Sequence, residues 1–154
     1  MTQSAVDSLY SIFSKYQLND KITGHYCSVC LDEEYNKFLH DRPLKELGPD
    51  SFLTYLSSID IIDESCNDFK YFIPRLLEII YETESHANYF FEQIWQTIAK
   101  ANYHSWPDNE KTEINNFFTE YWHKVKSSGD QNRIECTIDN FSEIGFNDYE
   151  LNKA

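Results

Sequence analysis

Apolar residues recur along most of the chain at steps of three and four, the period of one face of a helix. Val6, Leu9, Tyr10, Ile12, Phe13 and Tyr16 form the first such face and predict a helix starting near Ser4. Asn19, Asp20 and Gly24 end it. A shorter helix is expected from Cys30 or Leu31 to Leu39. It would hold Asp32, Glu33 and Glu34 in its first turn, where acidic groups meet the positive end of the helix dipole. Pro43 marks the following loop. Gly48-Pro49-Asp50 reads as the next start, because proline suits a first turn whose N–H lacks a partner anyway. Phe52, Leu53, Tyr55, Leu56 and Ile59 fall inside that helix.

An acidic, interrupted segment from Asp60 to Asp68 follows. Beyond it, Phe69 to Tyr81 is the most apolar run of the chain and predicts the central, most buried helix. Pro74 is expected in the first turn or two, since an interior proline kinks a helix. Ser85 is a candidate cap for a helix that buries Tyr89, Phe90, Ile94, Trp95 and Ile98. Ser105-Trp106-Pro107-Asp108-Asn109-Glu110 resembles another helix entry, leading to Ile114, Phe117, Phe118, Tyr121, Trp122 and Val125. Ser127-Ser128-Gly129-Asp130 ends that helix and is the one segment that reads as a linker. Ile134, Ile138, Phe141, Ile144, Phe146 and Leu151 are then spaced for a short helix docked on the body.

The expected fold is all-α: one domain over residues 1–154, an irregular bundle of about six to seven helices, with 129–154 as a docked C-terminal tail. Four Gly and four Pro are too few for the frequent turns of a sandwich or barrel. No run approaches the roughly 20 apolar residues of a membrane span. Met1 to Ser14 lacks the pattern of a signal peptide, so a cytoplasmic location is expected. Cysteines there are thiols or metal ligands rather than disulfides.

Charge changes the picture most. Asp and Glu number 26 against 13 Lys and Arg, a formal net charge of −13. Strongly acidic chains poor in aromatics are often disordered. This one carries 11 Phe, 11 Tyr and 3 Trp, enough for a core. A folded polyanion repels nucleic acid and anionic membrane and attracts basic proteins. The acids gather in three places: Asp32 to Glu34; Asp60, Asp63, Glu64 and Asp68; and the tail with Asp139, Glu143, Asp148 and Glu150. The second and third runs are the expected partner-binding regions, with nearby Tyr or Trp as anchors.

Candidate chemistry is thin. Cys27 and Cys30 form a C-x-x-C preceded by His25, a spacing at which two thiolates can grip one zinc ion. No second close pair completes four ligands, although His40, Cys66 and Cys136 are available. Two half-buried structural thiols are the simpler reading. Arg75 and Glu78, three apart on one helix, read as a structural ion pair that also ties down loop carbonyls. None of His25, His40, His86, His104 and His123 forms an H-E-x-x-H pair, and no G-x-S-x-G, phosphate loop or dinucleotide fingerprint occurs. A non-enzymatic binder with no cofactor is therefore expected, with zinc on the C-x-x-C as the alternative.

Tyr26-Cys27-x-x-Cys30, Pro43-Leu44-x-x-Leu47, Asp68-Phe69-x-Tyr71-Phe72-x-Pro74-Arg75-x-x-Glu78, Trp106-Pro107-x-x-Glu110 and Trp122 together resemble a family of uncharacterised bacterial helical proteins. The resemblance spans roughly residues 25 to 125. It implies a bacterial cytoplasmic source and an all-α fold, and carries no catalytic residues with it. In size and acidity the chain is also similar to immunity proteins, which neutralise secreted bacterial toxins. Nuclease toxins are basic because they bind phosphates, and an inhibitor mimicking that charge gains a fast on-rate. The expectation is an acidic inhibitor covering the substrate cleft of a basic toxin, a nuclease. A helical scaffold or adaptor is the alternative.

Overall fold

The computed structural model describes residues 3–20, 22, 32–58, 66–83 and 89–147. These residues form seven α-helices and two single 3-10 turns, with no strand among them. The helices are α1 (Gln3–Phe13), α2 (Glu33–Asp41), α3 (Pro49–Ser58), α4 (Asn67–Glu82), α5 (Tyr89–Ala101), α6 (Asp108–Ser128) and α7 (Gln131–Ile144). The 3-10 turns are Leu44–Glu46 and Tyr103–Ser105. The all-α bundle expected from the apolar period is the fold found.

α4 is the most heavily buried of the described helices. Phe69, Phe72, Ile73, Leu76, Leu77, Ile79 and Ile80 are all buried, as befits a helix that is apolar around most of its circumference. It begins at Asn67, earlier than the apolar run, so Pro74 stands inside the helix just past its second turn. A proline there leaves the Lys70 carbonyl without its usual i+4 donor. α1 packs on α4 and α6 through Val6, Leu9 and Phe13. Tyr10 and Ile12 are only half-buried, and Tyr16 falls beyond the helix end. α3 packs beside α5, and its buried Phe52 and Tyr55 meet Phe72 of α4 at 5.4 and 4.8 Å, whereas Leu53 is exposed.

α2 starts at Glu33, two or three residues later than expected, with Glu33 and Glu34 in its first turn as the pattern suggested. Asp32 is the cap rather than a first-turn residue, its Oδ1 accepting the Tyr35 N–H at 2.8 Å. Ser85, Ile59 and the earlier candidate starts Cys30 and Leu31 lie outside the described residues.

The C-terminal segment departs furthest from expectation. Ser127 and Ser128 close the last turn of α6, Gly129 takes the left-handed conformation that ends it, and Asp130 caps α7 by accepting the Arg133 N–H. The segment is a tight helical hairpin, not a linker. α7 is no short appendage either, running 14 residues against α5 and α6. Phe141 is its main wedge, meeting Trp95 edge-on at 5.7 Å and Phe146 at 4.9 Å, with Phe118 at 5.5 Å. Burying such a ring stabilises by about 1.5–3 kcal/mol before edge-to-face geometry adds its part.

Candidate functional site

The buried charges come first, because they decide what is left on the surface. Glu110, in the first turn of α6, is fully buried. Its Oε1 accepts the Tyr16 hydroxyl and lies 3.1 Å from Lys15 Nζ; its Oε2 lies 2.9 Å from Lys70 Nζ. Lys70 also stands 4.6 Å from the centre of the Trp106 ring. Burial pushes the Glu110 carboxyl up, but the Tyr16 hydroxyl and the Lys70 and Lys15 ammonium groups outweigh it, and the net direction is down. This centre joins α6, α4 and the chain after α1. Its one signal in the sequence is Lys70, a charge set between Phe69 and Tyr71 in an apolar run, where burial demands a partner.

A second network sits between α1, α4 and the Leu44–Glu46 turn. Arg75 Nη1 contacts Glu78 Oε2 at 2.8 Å, Arg75 Nε donates to the Leu47 carbonyl at 2.8 Å, and Tyr10 donates to Glu78 Oε2 at 2.6 Å. The structural ion pair expected from the spacing is what the fold contains.

Several other cations lie over rings or against carbonyls, while Lys37 and Lys100 are exposed. Lys45 stands over Tyr10, Arg42 over Phe38 and Lys126 over Trp122. Lys124 donates to the Tyr81 carbonyl. Arg133 is buried in the bundle. Among the carboxylates, Glu33, Glu34, Asp50, Glu92, Asp108 and Asp130 are exposed, whereas Asp68 and Glu110 are buried. The buried charges among the described residues balance, Asp68 and Glu110 against Lys70 and Arg133, so the acid excess of the chain is carried outside the core.

α7 concentrates this asymmetry. Arg133 is its only cation and is buried, so every exposed charge on the helix is negative. Glu135, Asp139 and Glu143 follow at successive i+4 steps and are all exposed, forming one acidic ridge. Such like-charge pairs cost a helix about 0.2–0.5 kcal/mol each. Ile138 lies along this outer face and is 44% exposed, while Ile134 is half-buried. The inward stripe is Arg133, Thr137, Phe141 and Ile144, so the expected inward place of Ile138 is corrected. A shallow groove of about 400 Å³ opens between α1 and α6, lined by Ala5, Ser8, Glu113, Asn116, Thr119 and Glu120.

The expected partner-binding residues divide three ways. Asp139 and Glu143 are exposed on the α7 ridge. Asp68 is corrected: it is buried, and its carboxylate accepts the Asn19 backbone N–H at 2.9 Å, so it anchors the chain after α1 and presents no contact surface. Asp60, Asp63, Glu64, Asp148 and Glu150 lie outside the described residues. Glu135, the third member of the ridge, was not singled out in the sequence, because its i+4 relation to Asp139 matters only once the helix is known to extend over both. The zinc candidates Cys27, Cys30 and His25 also lie outside the described residues, and among those described no three His, Cys, Asp or Glu side chains gather as a metal cage. Cys136, half-buried on α7, has its thiol pushed up by burial, then by Asp139 and Glu92. That direction disfavours the reactive thiolate.

Comparison with protein-family models, curated proteins and solved structures yields no match. What the molecule does must be argued from its own surface.

Proposed function

We propose that this protein is an acidic, protein-binding inhibitor that covers the substrate cleft of a basic toxin domain, a nuclease. The observation that carries the reading is the acid excess, a formal net charge of −13, together with a whole helix whose exposed charges are all negative. A cleft that binds phosphates is lined with Lys and Arg. A rigid surface of carboxylates presents the same charge without the scissile bond, and long-range attraction speeds its encounter with that cleft.

The test is a low-salt pull-down from the source cell, with bound proteins identified by mass, followed by kinetics on the purified pair. Expected is a basic nuclease domain, inhibited at equimolar protein, whose association rate falls by about tenfold or more as salt screens the encounter. A partner that is neutral or acidic, or an association rate flat from low to high salt, would sink the reading and leave a helical scaffold.

A further inference from the structure

We infer that the outer face of α7 is the docking surface, and that its occupant is a cationic amphipathic segment of the partner, with lysines or arginines opposite Glu135, Asp139 and Glu143 and an apolar pocket taking Ile138. The inference rests on the inhibitor reading and sharpens it to one face and one partner chemistry.

Three features of the described residues converge on this helix. First, α7 is covered on one side only, by α5 and α6, and its opposite side has no described element packed on it. Second, Ile138 is the most exposed large apolar side chain among the described residues, at 44% against 37% for Leu53. An apolar side chain rimmed by charge has the anatomy of an interface anchor. Third, the sign of the face selects its occupant. A second copy of this chain would set one acidic ridge against another, and like charges across an interface are strongly disfavoured. No exposed cation on α7 softens the ridge, since Arg133 is buried. A ridge with i+4 spacing repeats at about 6 Å along the helix axis, matching cations one turn apart on a facing helix.

The probe is a synthetic helix with lysines at i, i+4 and i+8 and leucines beside them, titrated at low salt with anisotropy as the readout. The triple variant E135Q/D139N/E143Q and the single variant I138S are compared with two controls. E33Q/E34Q/D50N removes the same formal charge elsewhere, and L53S removes the other exposed apolar side chain. All changes are on exposed positions, and circular dichroism confirms folding. The expected result is at least about a tenfold loss of affinity for the α7 triple and severalfold for I138S, with both controls within about twofold of wild type. Equal losses in the two triples would mean undirected attraction and would overturn the face. No binding of the lysine helix would overturn it too. The inhibitor reading fails separately, on recovery of a partner that is not basic.

Discussion

Two buried charges of opposite kind make opposite predictions. Glu110 is satisfied by Tyr16, Lys15 and Lys70. Removing its charge by Glu110→Gln strands Lys70 in the core and should cost about 3 kcal/mol at neutral pH, read from urea unfolding. The carboxyl pKa is lowered in the fold, so this stabilisation is complete above the ordinary value of 4.5 and fades as pH falls through the lower folded value. The gap between wild type and variant should therefore narrow in acid; a gap that stays constant would show that Glu110 does not act as a carboxylate. Arg133 is the reverse case. It is 4% exposed, and its Nε and Nη2 have no hydrogen-bond partner. Arg133→Met exchanges a buried, incompletely satisfied charge beside the Tyr121 ring for an apolar chain of similar length and should raise stability by about 1 kcal/mol. Reading the pattern alone turns α7 by one residue, because Ile134 and Ile138 outbid Arg133 and Thr137 on hydropathy. Both stripes share Phe141, and the packing of that ring against Trp95, Phe118 and Phe146 selects the polar one. That selection is a tertiary fact, invisible in hydropathy. The Lys70–Glu110 pair was not foreseen, although the place of Lys70 between Phe69 and Tyr71 is a signal that could have found it.

At the scale of elements, the starts written in proline and the stop at Gly129 were legible; the stop at Gly145 and the starts written in side-chain caps were not. Pro49 and Pro107 mark the entries of α3 and α6 as expected. Asp32 and Asp130 read as ordinary acids, yet each accepts the N–H three residues on and so sets where a helix begins. The two glycine stops can be told apart by experiment. Gly129 has φ 69° and open space where a Cβ would stand, so Gly129→Ala should cost about 1 kcal/mol for the left-handed backbone alone. Gly145 has φ 76°, and a Cβ there would lie 2.9 Å from His104 Nε2, which itself contacts the Ile144 carbonyl at 3.0 Å. Gly145→Ala should cost more, about 2 kcal/mol, because it also dislodges the imidazole that holds the end of α7. Thermal melts of the two variants side by side give the difference; equal costs would mean His104 swings away freely.

For the whole molecule, the same charges act on folding and on binding with opposite signs. A formal charge of −13 on one small body repels itself. Added salt shortens the reach of that repulsion to about 10 Å at 0.1 M. The free protein should therefore become more stable as sodium chloride rises from low concentration, with a melting temperature higher by a few degrees. Its complex with a basic partner should weaken over the same range, because the attraction is screened together with the repulsion. A protein whose acidity served only solubility would show the first trend without any binding to lose. A protein stabilised by surface ion pairs would show the reverse of the first trend, since screening would remove what held it together. Melting curves across a salt series thus test, on the isolated chain, whether its surface carries uncompensated negative charge, which is the physical condition that recognition of a basic cleft requires.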